Sequence, residues 1–113
     1  MSNLHNINTD DFQSEVISAS QPVLVDFGAV WCQPCKMLDP VVEQLAGEWQ
    51  AKMKVVRVDV DHKPELAMQY QVMGVPTLIL FVSGQPVERL MGFMQKERIL
   101  SRLSPHLAQA RPA

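Results

Sequence analysis

Apolar residues fall along this chain in two alternating kinds of pattern. Val23-Leu24-Val25-Asp26-Phe27 is a nearly unbroken apolar run, introduced by Pro22 and closed at Gly28, and it reads as a buried strand. Met53-Lys54-Val55-Val56-Arg57-Val58 is rich in β-branched residues and is a second strand. Thr77-Leu78-Ile79-Leu80-Phe81-Val82 is the clearest strand in the sequence. Ser83-Gly84-Gln85 then makes a turn, and Val87 to Met91 returns as an antiparallel partner. Between these runs the spacing becomes helical. Phe12, Val16 and Ala19 mark an early helix, with Asn8 or Thr9 as its N-cap. Met37, Leu38, Val41, Val42, Leu45, Ala46 and Trp49 form the apolar face of a helix from about Cys35 to Trp49. Pro40 lies inside it, where it removes one backbone donor and is expected to bend the helix. A short helix opens at Pro64 and turns Leu66, Ala67 and Tyr70 inward. The last helix buries Ile99, Leu100, Leu103 and Leu107, with Ser104-Pro105 expected to kink or shorten it and Arg111-Pro112-Ala113 expected to fray.

Strands that alternate with helices, followed by a hairpin and a final helix, indicate an α/β sandwich around a mixed central sheet. The 113 residues suffice for one domain, residues 1–113, and hold no internal repeat or linker. Ten basic residues against twelve acidic ones, scattered rather than clustered, argue against a nucleic-acid partner. No apolar run is long enough to span a bilayer, so no membrane role is expected. Met1-Ser2-Asn3-Leu4-His5-Asn6 has neither a basic segment nor an apolar stretch of the secretory kind. With Met1 as the native start, the expected location is the cytoplasm, where thiols stay reduced.

The two cysteines bring in the chemistry. Cys32-Gln33-Pro34-Cys35 sits where a buried strand turns into a helix. Helical residues three apart have Cβ atoms about 5–6 Å apart. A disulfide needs about 3.5–4.5 Å, so a small adjustment opens or closes the bond. The first turn of a helix offers unpaired N–H groups and the positive end of the macrodipole, both of which favour a thiolate. Cys32 is therefore expected to be the nucleophile of lowered pKa. Cys35, one turn further in, is expected to stay shielded until a mixed disulfide forms. Pro34 costs the helix little, because its missing donor falls in the first turn. Other uses of the pair are weaker. As a staple, so short a loop adds only roughly 2 kcal/mol. As half of a zinc site, the pair lacks a second close pair of ligands, since only His5, His62 and His106 are available. Two inert buried thiols fit poorly beside Trp31 at the mouth of a helix.

At Trp31-Cys32-Gln33-Pro34-Cys35-Lys36 the chain resembles the thioredoxin family. Further landmarks are Asp26 in its strand, Val58-Asp59-Val60-Asp61, Gly74-Val75-Pro76-Thr77, Gly84 and Gly92, so that the resemblance runs from about Leu4 to Leu107. It implies a thioredoxin-like fold, a mixed central β-sheet flanked by helices on both faces. It also implies that Cys32 attacks, that Cys35 resolves, and that Pro76 follows a cis peptide bond beside them. Without it, Pro76 reads as a trans proline at the start of a strand. Trp31, Gly74, Val75, Pro76 and Gly92 become a substrate-docking surface, with glycines that let a partner's backbone approach. Asp26 becomes a general base toward Cys35, which suits a carboxylate buried in a central strand with its pKa raised by desolvation. The alternative is an aspartate that faces water from an edge strand. The implied partners are disulfide-containing target proteins and, as electron donor, a flavin-dependent thioredoxin reductase. It implies no bound cofactor, the electrons being carried by the Cys32–Cys35 dithiol and its redox-active disulfide; no metal is expected, and a monomer is expected because no apolar surface beyond the docking patch shows in the sequence.

Three positions depart from the family. Gln33 replaces a usual Gly, next to Pro34, and the intervening pair tunes the relative stability of thiolate and disulfide. Gly28 stands where Trp is common, which removes packing near the cysteines. Arg57 stands where a Lys is frequent, and as a permanent cation it is expected to oppose the shift on Asp26 if the two meet. Of seven methionines, Met91 and Met94 are the nearest pair for a soft metal. Met37 and Met68 on helix core faces, and Met53 and Met73 in apolar surroundings, read instead as core filling. His62, in a polar loop, is given no role. Protein-disulfide reduction is the leading function. An oxidant or isomerase of the same fold, and a metal-holding or redox-silent binding module, are the competitors.

Overall fold

A computed structural model describes residues 5–6 and 9–109. The elements run β1 (His5–Asn6), α1 (Thr9–Phe12, continuing as a π-helical segment over Gln13–Ile17), β2 (Val23–Gly28), α2 (Gln33–Glu48), β3 (Lys54–Asp59), α3 (Pro64–Gln69), β4 (Thr77–Val82), β5 (Gln85–Met91) and α4 (Lys96–Gln109). The five strands form one mixed sheet in the order β1-β3-β2-β4-β5. β3 runs parallel to both β1 and β2, while β4 is antiparallel to β2 and β5. β2 is thus the central strand.

Side chains alternate across this sheet with the period of two that a pleated strand imposes. Leu24, Val55, Leu78 and Leu80 point to one face and pack with Leu38, Val42 and Leu45 of α2 and with Ile99, Leu103 and Leu107 of α4. Val23, Val25, Phe27, Val56, Val58, Ile79 and Phe81 point to the other, against Phe12, Val16 and Leu66. Helices therefore cover both faces of the mixed sheet, the architecture expected from the sequence. The rings of Phe12, Tyr70 and Phe81 meet at centroid distances of 5.1–5.6 Å and close the second layer. Among the described residues no helix is long and apolar enough to cross a membrane.

Several local expectations need correction. β1 escapes a hydropathy pattern, because His5 and Asn6 are polar and only their pairing with Val56 and Arg57 makes them a strand. Thr9 already lies in the first helix, while Asn8 and Arg111-Pro112-Ala113 lie outside the described residues. α2 starts at Gln33, two residues before the expected Cys35, and carries through Pro40, whose ring sits on the exposed side. Likewise Pro105 does not shorten α4, which reaches Gln109 with Leu107 buried. Of the methionines assigned to the core, Met53 is fully buried, but Met37, Met68 and Met73 are exposed. The reason is angular: on α2 the buried stripe is Leu38, Val42 and Leu45, and Met37 falls outside it. Met94 packs against the α2/α4 layer while Met91 is exposed, so the two are not a facing pair.

The β4–β5 hairpin closes through two residues, Ser83 and Gly84, both with positive φ (53° and 80°), which matches the twist of the strands it joins. A Cβ on Gly84 would stand 2.9 Å from the Ile17 carbonyl oxygen. Gly84→Val should therefore lower stability by about 2 kcal/mol or more, from a left-handed backbone together with a backbone clash. A urea unfolding midpoint equal to that of the parent protein would contradict this.

Candidate functional site

The site assembles at the end of β2 nearest the start of α2. Cys32 caps the helix: its backbone is extended (φ −87°, ψ 112°) and its Sγ accepts the Cys35 N–H at 3.1 Å. Pro34 falls in the first turn, where it forfeits no helical hydrogen bond, and the first carbonyl of the helix, that of Cys32, accepts from the Lys36 N–H at 3.2 Å. Cys32 and Cys35 are joined as a disulfide with Cα atoms 5.2 Å apart. Both cysteines are buried, packed with Ala29 and against Val60 and Val75.

A second loop meets the first. The Val75–Pro76 peptide bond is cis, and the Val75 carbonyl oxygen lies 3.7 Å from Cys32 Sγ. The loop is held by the Thr77 hydroxyl, which donates to the Gly74 carbonyl at 2.7 Å, and by the Gly92 N–H, which donates to the Pro76 carbonyl at 2.9 Å. Gly92 adopts φ 85°, a conformation that favours glycine. Cys32 is thus brought to Val75 across 43 residues of sequence, and the hydrogen bonds to Gly74 and Pro76 tie Thr77 and Gly92 into the same loop. Trp31 adjoins them, 65 % exposed, with its indole N–H donating to Asp61 Oδ2 at 2.7 Å. Met73 before the cis-proline loop, Met91 at the end of β5 and Phe93 just after it are also exposed, Met73 at 95 %. Nothing in the spacing of these residues announced that exposure.

Beneath the disulfide lies a charged group. Asp26 is only 3 % exposed and sits in the central strand, which excludes the water-facing edge position. Arg57, its registered neighbour on β3, places Nε 3.7 Å from Asp26 Oδ2. The other end of the guanidinium donates to Asp39 Oδ1 on α2. Arg57 therefore does meet Asp26 but divides its charge between two carboxylates. Burial outweighs its attraction, and the Asp26 carboxyl is pushed up to about 6. Burial also raises Asp39, against the pull of Arg57. Sequence reasoning missed Asp39; its signal was an acidic residue one helical turn after Cys35, at the i+4 spacing that shares a face.

Gly28 leaves an opening beside this group. A Cβ built there would stand 3.5 Å from Cys35 Sγ and 3.8 Å from Asp26 Oδ1, so the sulfur and the carboxylate border the same space. That space belongs to a cavity of about 560 Å³, lined by Asp26, Gly28, Cys35, Asp39, Arg57 and residues of the β3–α3 connection.

Comparison with known proteins agrees with this geometry. A family model described as thioredoxin matches residues 3–105. Thioredoxins of Staphylococcus aureus strains Mu50, MW2 and N315 are each 48 % identical to this chain over 97 residues, covering 86 % of this chain and 91 % of the relative.

Proposed function

Since this chain belongs to the thioredoxin family, we propose that its protein-disulfide reductase activity runs through Cys32 as the attacking thiol and Cys35 as the resolving one. The chain is a thiol-disulfide oxidoreductase whose Cys32–Cys35 pair carries electrons by cycling between dithiol and disulfide, and its family implies disulfide-bearing targets and a thioredoxin reductase as partners. The observation that supports the assignment of roles is the setting of Cys32 Sγ. It caps α2, accepts the Cys35 N–H, and stands 3.7 Å from the Val75 carbonyl.

In the reduced protein the helix N-terminus and the Cys35 N–H favour negative charge on Cys32. The Cys32 thiolate attacks one sulfur of a target disulfide; the other target sulfur leaves with the electron pair and takes up a proton. Cys35 then gives up its proton and attacks Cys32 Sγ, which restores the Cys32–Cys35 bond and frees the second target thiol. Asp26 receives that proton, through a water in the space that both groups border. Trp31, Gly74, Val75, Pro76 and Gly92 bind the target, whose extended backbone lies along Val75 as a short added strand. Gln33 and Pro34 tune the disulfide from within the motif, and Arg57 tunes it through Asp26. On this reading the chain is one domain over residues 1–113, a thioredoxin proper with a Cys-Gln-Pro-Cys centre, monomeric and cytoplasmic. Its reductase is flavin-dependent, and no nucleic acid or membrane takes part.

Two measurements test this. Cys35→Ser should accumulate a disulfide-linked complex with insulin through Cys32, because the resolving step is removed. Absence of that complex, with the variant folded, would sink the assignment. The reduction potential, read by equilibration with dithiol buffers, should lie at or below the cytosolic glutathione poise. A clearly more oxidising value would move the function to disulfide formation or isomerisation.

A further inference from the structure

One carboxylate of the site has no part in the reaction just described. Asp39 stands four residues after Cys35 on α2, a spacing that turns both to the same side of the helix. Its Oδ1 accepts a hydrogen bond from Arg57 Nη2, while Arg57 Nε stays 3.7 Å from Asp26 Oδ2, longer than a normal hydrogen bond. The end of the guanidinium is therefore committed to α2, and Asp26 meets only its inner edge. Arg57 and Asp26 are registered neighbours on adjacent strands, near enough for a two-point pair if the guanidinium turned away from α2. An arginine suits this division, because its fork serves two carboxylates at once and a single ammonium does not.

The charges around Asp26 give the arrangement a direction. Burial opposes ionisation of Asp26, Arg57 favours it, and Asp39 opposes it. Lys36, Asp59, His62 and Lys63 line the same space, and Cys35 Sγ borders it, but the charges that act on Asp26 are those of Arg57 and Asp39. Glu43, one turn further along α2, in turn opposes ionisation of Asp39. Asp39 keeps 35 % of its side chain exposed and holds the closer contact to Arg57, whereas the Asp26 side chain is 4 % exposed. Asp39 therefore ionises first, and its negative charge then strengthens the hold of Asp26 on a proton.

From this geometry we infer that Asp39 is a positioning residue for the resolving step: it anchors Arg57 on α2, keeps the guanidinium from closing on Asp26, and so leaves Asp26 able to accept the Cys35 proton. The inference rests on the part proposed for Asp26 in the reductase reaction. A carboxylate in a full two-point pair with arginine binds a proton poorly, and such a base takes the Cys35 proton slowly. Asp39 acts through Arg57 and through its own charge, and both effects have one sign. Loss of the Asp39 charge lowers the proton affinity of Asp26 directly, and the released Arg57 lowers it again.

Carboxyl-carbon NMR of the oxidised full chain reads this directly, the Asp26 signal being identified by its loss in Asp26→Asn. Asp39→Asn should lower the Asp26 titration midpoint by about one pH unit, a tenfold loss of proton affinity. Asp39→Glu keeps the charge and the reach to Arg57, and should hold the midpoint within about 0.3 of a pH unit of the parent protein. Release of insulin from its mixed disulfide, followed in single turnovers against pH, supplies a second readout that a merely structural role would not move. In Asp39→Asn its acid limb should shift down with the Asp26 midpoint and its plateau should fall about threefold, since the base is weaker. Should Asp39→Asn fail to fold, Asp39→Ser carries the same expectations. An Asp26 midpoint in the variant equal to or above that of the parent protein would overturn the proposal and leave the reductase reading intact. A lowered midpoint beside an unmoved release profile would overturn it differently, by removing Asp26 itself from the resolving step.

Discussion

Cys32→Ser should abolish reduction of a protein disulfide, with turnover falling on the order of a thousandfold or more. The substitution is nearly isosteric at a buried helix cap, and serine is a good cap residue, so the fold should persist. What disappears is chemistry. A hydroxyl does not ionise in the accessible pH range and cannot enter thiol–disulfide exchange, so the favourable setting at the start of α2 has no thiolate to act on. Cys35 cannot take over at the target face, because that face is built around Cys32 Sγ and the Val75 carbonyl. The check is insulin reduction with a chemical reductant in excess, beside a far-ultraviolet spectrum to establish folding. Activity within a few-fold of the parent protein would refute the assignment of the nucleophile.

Asp26→Asn should stabilise the protein at neutral pH and leave it unchanged in acid. The Asp26 carboxyl is raised from 3.8 to about 6 in the folded chain, foremost by burial and in spite of Arg57. Well below pH 3.8 both folded and unfolded states carry the proton, and the aspartate costs nothing extra. Between 3.8 and about 6 the folded state keeps a proton that the unfolded state has released, so stability falls as pH rises. Above that window the loss is complete and amounts to about 3 kcal/mol, because each tenfold change in proton affinity is worth about 1.4 kcal/mol. Asparagine keeps the shape and removes the charge, and Arg57 retains its bond to Asp39. Urea midpoints at pH 3 and pH 7.5 should therefore coincide in acid and separate at neutrality, with the variant the more stable. Equal midpoints at pH 7.5 would mean that Asp26 ionises without penalty. If Asp26 takes the proton of Cys35, the same variant should also slow release of insulin from its mixed disulfide, most clearly above pH 6.

Much of the architecture was legible in the sequence because it rests on local physics. Alternation along Val23–Phe27 and Thr77–Val82 divides side chains between two faces whatever packs on them. The four-residue spacing of Leu38, Val42 and Ala46 puts them on one side of α2, and Ser83-Gly84 supplies the two positive φ angles that a tight hairpin needs. Cys32 and Cys35 were readable for the same reason: one helical turn sets both their separation and the field at Cys32. The cis bond before Pro76 was different. It came from the resemblance to the thioredoxin family, since the residues alone suggested a trans proline.

Periodicity erred where a residue's fate depended on what lay opposite. Met37 and Met68 share helices with buried leucines, yet neither faces the sheet, and Met73 lies on a loop that no other element covers. Whether an apolar residue is buried is decided by the partner surface, and one strip of sequence does not contain it. The same holds for the charges. Arg57 meets Asp26 because β3 lies beside β2 in register, and it meets Asp39 because α2 crosses the same face. Trp31 finds Asp61 across thirty residues, and the cavity at Gly28 needs β2, α2, β3 and the start of α3 together to enclose it. The sequence by itself determined the order of elements after β1, the two faces of the sheet and the thiol pair at a helix start, each set by neighbours within a turn or a pleat. Only the tertiary structure decided which charges pair, which methionines meet water and what lines the space beside Cys35, because each depends on groups brought together from distant parts of the chain.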